Sequence, residues 1–121
     1  MFNKNIETLT KENTFFRKEV ITGAHSQVVL MDIKPGEDIG EEVHDVDQTL
    51  VFVSGSGEAT LDNVTENVQE GSLVFVPAGT KHNFKNTGTE SLKLYTVYAP
   101  SEHAAGTIHK TKAEAEEAEG H

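Results

Sequence analysis

The sequence predicts an all-β domain, a sandwich or barrel of short antiparallel strands. Three observations predict it. Short runs rich in β-branched and aromatic residues recur along the body of the chain. Gly, Pro and Asn/Asp punctuate them roughly every ten residues, the spacing of small sandwiches and barrels. Nothing between Thr14 and Pro100 has a helical apolar period.

The elements follow in order. Residues 15–22 (FFRKEVIT) and 25–33 (HSQVVLMDI) read as strands joined at Gly23-Ala24, and Pro35-Gly36 marks the next turn. Residues 48–54 (QTLVFVS) form a third strand. Residues 55–63 hold a tight connection, a short strand and an Asp62-Asn63 turn, and residues 63–69 alternate up to Glu70-Gly71. Residues 72–77 (SLVFVP) stop at Pro77, and KHNFKN and SLKLYTVYAP complete the series. Three segments result: an N-terminal segment 1–13 with one or two helical turns, a barrel 14–100, and a C-terminal tail 101–121. In the tail, Thr111 and Glu114 have capping-box spacing, Ala and Glu favour helix, and Gly120 is a stop. That short helix has no apolar stripe, so a solvated or frayed helix is expected, with packing against a second subunit as the alternative.

Composition excludes several classes. The chain has 121 residues, net charge −10 and no cysteine, which rules out disulfides, Cys-ligated zinc and a thiol nucleophile. Part of the acidity is the run KAEAEEAEGH, which reads as a solvated face. No Lys/Arg cluster offers a nucleic-acid or anionic-membrane surface. No apolar run approaches the roughly 20 residues of a membrane span, and the first residues lack the basic and apolar regions of a signal peptide. A cytoplasmic setting is the expectation. No Ser lies in an elbow-type motif, so a nucleophilic hydrolase is disfavoured.

The chemistry-bearing residues fall in two clusters. In EEVHDVDQTLVFVSGSG (41–57), Glu42, His44, Gln48, Leu50 and Phe52 share parity, so on an extended backbone they share a face, with Val51 and Val53 opposite. A face polar at one end and apolar at the other suits a barrel interior, with the polar end at the mouth. Glu41 is the rival of Glu42, and parity favours Glu42. In EGSLVFVPAGTKHNFKN (70–86), a Pro77–Gly79 turn delivers His82 to a face shared with Phe84 and Asn86. Val74 and Val76 are expected, like Val51 and Val53, opposite the inward residues, so a second sheet or a twofold partner should cover that side. His25 is a further candidate to line the barrel. His103, His109 and His121 are expected to be solvated.

Together the clusters resemble the cupin superfamily. Its second motif runs Gly, five residues, Pro-x-Gly, two residues, His, three residues, Asn. Gly71, Pro77, Gly79, His82 and Asn86 match it throughout. In the first motif Gly36, His44 and Gly55 match, while Glu42 replaces a His and Gln48 replaces the Glu. The tail YAPSEHAAGTIHKTK is similar to that of small bacterial cupins of the mannose-6-phosphate-isomerase-like group. The resemblance implies a double-stranded β-helix (jelly-roll) barrel, often a homodimer, with a divalent metal held by Glu42, His44, Gln48 and His82. Moving the carboxylate from one ligand position to another keeps the single negative charge of the usual set. Two nitrogens and two oxygens suit Mn(II), Fe(II), Ni(II) or Zn(II). Gln48 would be a weak fourth ligand or a hydrogen-bonding neighbour.

Two functions of different class follow. One is a metal-dependent enzyme on a small organic molecule, of dioxygenase or isomerase type, with the metal as Lewis acid or oxygen-binding centre. The other is a non-catalytic metal- or small-ligand-binding module. A sugar phosphate would want cations at the mouth, and the candidates are Arg17, Lys81 and Lys85.

Overall fold

The computed structural model describes residues 1–119, and the proposed stop at Gly120 and His121 lie outside them. Helix α1 (Ile6–Glu12) is followed by strands β1 (Arg17–Thr22), β2 (Gln27–Ile33), β3 (Asp47–Ser54), β4 (Ser56–Leu61), β5 (Val64–Gln69), β6 (Leu73–Val76), β7 (His82–Asn86), β8 (Leu92–Ala99) and β9 (Ile108–His109), then helix α2 (Lys112–Glu119). The strands form a six-stranded sheet, β6-β3-β8-β2-β1-β9, facing a three-stranded sheet, β5-β4-β7. Every pairing is antiparallel.

Period-2 alternation fills the space between the sheets. On β8, Leu92, Leu94, Thr96 and Tyr98 are buried, while Lys93, Tyr95 and Val97 are half-buried. On β3, Gln48, Leu50 and Phe52 turn inward. Phe84 and Ala59 meet them from the smaller sheet, and Phe84 lies 5.9 Å from the Phe52 ring. The expected outward placement of Val74 and Val76 is corrected. Val76 pairs with Gln48 and Val74 with Leu50, and directly paired residues share a face. Both therefore face the core, and Leu73 and Phe75 are the exposed residues of β6.

The outer side of the larger sheet is partly covered from within the chain. Ile6 and Leu9 of α1 lie with Val20, Val28, Tyr95 and Val97 along one cleft. Asn5 caps this helix, accepting from the Thr8 amide at 2.9 Å.

The chain beyond Pro100 is also more integrated than a solvated tail. β9 pairs with β1, and Ala115 of α2 is 2 % exposed against the core. The expected cap is present, with the Glu114 amide donating to Thr111 Oγ1 at 3.1 Å. His109 lies 3.1 Å from Arg17, and His103 packs edge-on against Tyr98 at 5.2 Å. Two of the histidines expected in solvent are thus drawn into the fold. His25, by contrast, is exposed in the β1–β2 turn and does not line the barrel.

His103 has a measurable consequence. Burial, then the neighbouring Arg17, His44 and His109, push its pKa down to about 3 from 6.5. Between those values the unfolded chain binds a proton that the folded chain does not. This contribution is therefore complete above pH 6.5 and is lost as pH falls towards 3. Urea unfolding from pH 7.5 to 4 should show wild type losing stability faster than His103→Asn, by up to about 1.4 kcal/mol per pH unit. Parallel pH profiles would refute it.

Candidate metal centre

The segment before β3 runs antiparallel to β7 without being a regular strand. The Glu42 amide donates to the His82 carbonyl and the His82 amide to the Glu42 carbonyl, each at 2.9 Å. This narrow bridge sets the two residues opposite each other. The Gly79 amide, just before His82, donates to the His44 carbonyl at 2.8 Å, and Gly79 has φ +84, which favours glycine. Gly36 and Asn86 add a further link between the two motif regions, N–H to carbonyl at 3.2 Å. The Asn86 side chain is fully buried and donates to the carbonyls of Ile33 and Glu90 at 2.8 and 2.7 Å.

Alternation holds even where the strand is interrupted at Asp45–Val46. Glu42 is half-buried, His44, Val46, Gln48 and Leu50 are buried, and Glu41, Val43, Asp45 and Asp47 are exposed. Glu41 turns outward and pairs with Lys81 at 3.7 Å. Glu42 faces the histidines.

One ligand atom from each of Glu42, His44 and His82 lies within 4.8 Å of the others. Donors each about 2.1 Å from one ion stand about 3.0–3.4 Å apart at octahedral to tetrahedral angles. The pair His44 Nε2 and Glu42 Oε2, at 3.8 Å, is slightly wider than that and too far for a hydrogen bond. The ring centroids of His44 and His82 are 5.1 Å apart.

The far sides of both rings are occupied. His82 Nδ1 lies 2.9 Å from the Thr80 carbonyl, which can only accept, so Nδ1 carries the proton and the neutral ring's lone pair is on Nε2. His44 Nδ1 lies 3.0 Å from Glu102 Oε1, with the same consequence. Carboxylate or carbonyl partners on Nδ1 are the usual way a ligating histidine is oriented. Gln48 is 2 % exposed and donates its amide to Thr96 Oγ1 at 3.1 Å, while its Oε1 is buried with no hydrogen-bond partner. It pairs across the sheet with Tyr98, whose ring meets His44 edge-on at 5.8 Å. Two histidines with available Nε2 atoms, one carboxylate and a buried carbonyl oxygen without a partner fit a divalent cation.

The sequence thus located Glu42, His44 and His82, which the fold brings together, and Gln48, which lies on the same inward face beyond Val46. It missed Glu102, whose segment carries no motif spacing, and Gln27, which holds that segment. The phosphate candidates are directed elsewhere. Lys81 and Lys85 are exposed, and Arg17 is buried between His109 and the Phe16 ring.

The cupin domain family matches residues 29–98, which include both motifs, and the chain belongs to that family. The crystal structure of BH2720 from Bacillus halodurans superposes with a TM-score of 0.93 at 45 % identity, covering 94 % of this chain and 92 % of that one. Protein YrkC of Bacillus subtilis is 47 % identical over 98 % of this chain, which spans 67 % of YrkC. Protein L612 of Acanthamoeba polyphaga mimivirus is 38 % identical over 86 % of this chain and 68 % of its own length. No helix among the described residues is long and apolar enough to cross a membrane.

Proposed function

We propose that Glu42, His44 and His82 hold a divalent transition metal, with Gln48 Oε1 as a weak fourth donor, and that the site acts on a small organic molecule. The clustering of one ligand atom from each of Glu42, His44 and His82 within 4.8 Å, with both histidine Nδ1 atoms engaged elsewhere, carries this reading. A bound cation of this kind supplies Lewis-acid or redox chemistry. The chain supplies the rest. Glu42 provides the negative charge, Thr96 fixes the Gln48 amide, and Tyr98 and Phe84 pack against the two rings and keep water from that side.

A non-catalytic binding role is the second reading. The low exposure of the donors favours it: His82 is 2 % and His44 9 % exposed, and only Glu42 reaches 19 %. We extend the proposal to a homodimer, supported by Leu73 and Phe75, which stand exposed on the edge strand β6.

Metal analysis of protein purified without chelator or added metal tests the site. About one equivalent of a transition metal is expected, with a rise in Tm on adding Mn(II), Fe(II), Ni(II) or Zn(II). Less than about a tenth of an equivalent and no thermal shift would sink it. Glu42→Gln should weaken binding more than Gln48→Ala, and the reverse order would show that the charge has been assigned to the wrong residue.

A further inference from the structure

We propose that Glu102 sets the tautomer and ring orientation of His44 and that Gln27 fixes Glu102 in place, so that segment 100–107 is a working part of the site. The two histidines obtain their Nδ1 acceptors differently. His82 uses the carbonyl of Thr80, two residues away on the same turn. His44 lies just before the bend at Asp45–Val46 and takes its acceptor from beyond β8.

That acceptor sits on a segment with almost no regular structure, so something must hold it. Gln27 does so. It is 1 % exposed, and its Oε1 accepts from the amides of Glu102 and His103 at 3.2 and 3.0 Å. Its Nε2 donates to the His103 carbonyl at 2.6 Å and to Thr22 Oγ1 at 2.9 Å. Three of the four bonds of this buried amide go to the backbone of one two-residue stretch. Glu19 adds a second anchor, accepting from the Gly106 amide at 3.2 Å through its side chain and donating its own amide to the Thr107 carbonyl at 2.8 Å. Tyr98 lies between, edge-on to both His44 and His103.

With Glu102 accepting at Nδ1, the neutral His44 ring is confined to the tautomer that presents its Nε2 lone pair towards Glu42. Without Glu102, either nitrogen can carry the proton. Glu102 is therefore a positioning residue. The consequence for metal binding rests on the metal-site reading above, and the consequence for the tautomer does not.

Nitrogen-15 NMR of the metal-free protein, at a pH where the ring is neutral, reads the tautomer directly. Wild type should show His44 protonated at Nδ1, Glu102→Ala a shift towards the Nε2-protonated form, and Glu102→Gln, whose amide oxygen still accepts, a return to the wild-type pattern. Co(II) titration should show Glu102→Ala binding about 10–100-fold more weakly, with Glu102→Gln recovering most of the loss. Glu102 is 27 % exposed, so its removal should leave the fold intact. An unchanged His44 tautomer in Glu102→Ala overturns the proposal whatever the metal result. Wild type that binds no Co(II), with the tautomer shift still seen in Glu102→Ala, would overturn the metal-site reading and leave Glu102 in its role.

Discussion

Alanine at either His44 or His82 is expected to abolish the metal-induced rise in Tm and to weaken metal binding by more than 100-fold. Loss of an outer partner of a ligand costs about 10–100-fold, and loss of the ligand itself should cost more. The site offers two nitrogens and one carboxylate as strong donors, and removing a nitrogen leaves one of each beside a neutral amide. Such a pair resembles many surface His–Glu pairs that hold no metal. The His82 ring also packs 5.9 Å from Phe84 and 5.1 Å from His44, so His82→Ala should lower the Tm of the metal-free protein as well. The discriminating quantity is therefore the difference in Tm with and without metal, measured with an affinity from chelator competition. A variant that keeps its metal at wild-type affinity would show that the removed ring is not a ligand.

Gly55→Ala is expected to destabilise the fold by about 2–6 kcal/mol, adding a strained backbone (about 1–3) to forced overpacking (about 1–3). Gly55 sits between β3 and β4 with φ +91, a conformation that side chains rarely adopt. A Cβ there would meet the Ser91 carbonyl oxygen and lie 2.9 Å from Leu92 Cα. Both are backbone atoms of the start of β8 and its approach, so no rotamer change relieves the contact. A loss of this size is a large part of the roughly 5–15 kcal/mol that holds a domain together. Gly36→Ala is the control: its φ is +81, but a Cβ there meets nothing within 4 Å. It should cost only the conformational part, roughly 1–2 kcal/mol. Equal losses for the two variants in urea unfolding would show that the close approach at Gly55 does not matter.

The core residues of β3 and β7 were legible because one physical rule governs them. Successive side chains alternate faces, and one face is buried. The rule survives the bend at Asp45–Val46, so Glu42 and His44 could be read from the same parity as Leu50 and Phe52. It failed for β6, where four residues gave no polar side from which to infer direction. Pairing with Gln48 and Leu50 decided that Val76 and Val74 face inward. Parity also separated Glu42 from Glu41, and the outward pair of Glu41 with Lys81 agrees with it.

By itself the sequence determined the all-β architecture, the cupin motifs and three residues that the fold brings together, Glu42, His44 and His82, because each depends on local spacing: two residues per strand repeat and fixed distances between turns. Only the tertiary structure decided what completes the site. Glu102 reaches His44 because Gln27, on a different strand, ties down the chain beyond β8. The partly covered outer face of the larger sheet and the fate of His103 have the same origin. Each is a contact between segments distant in sequence, made by side chains whose local pattern is that of ordinary loop or helix residues, so no period or spacing could announce it.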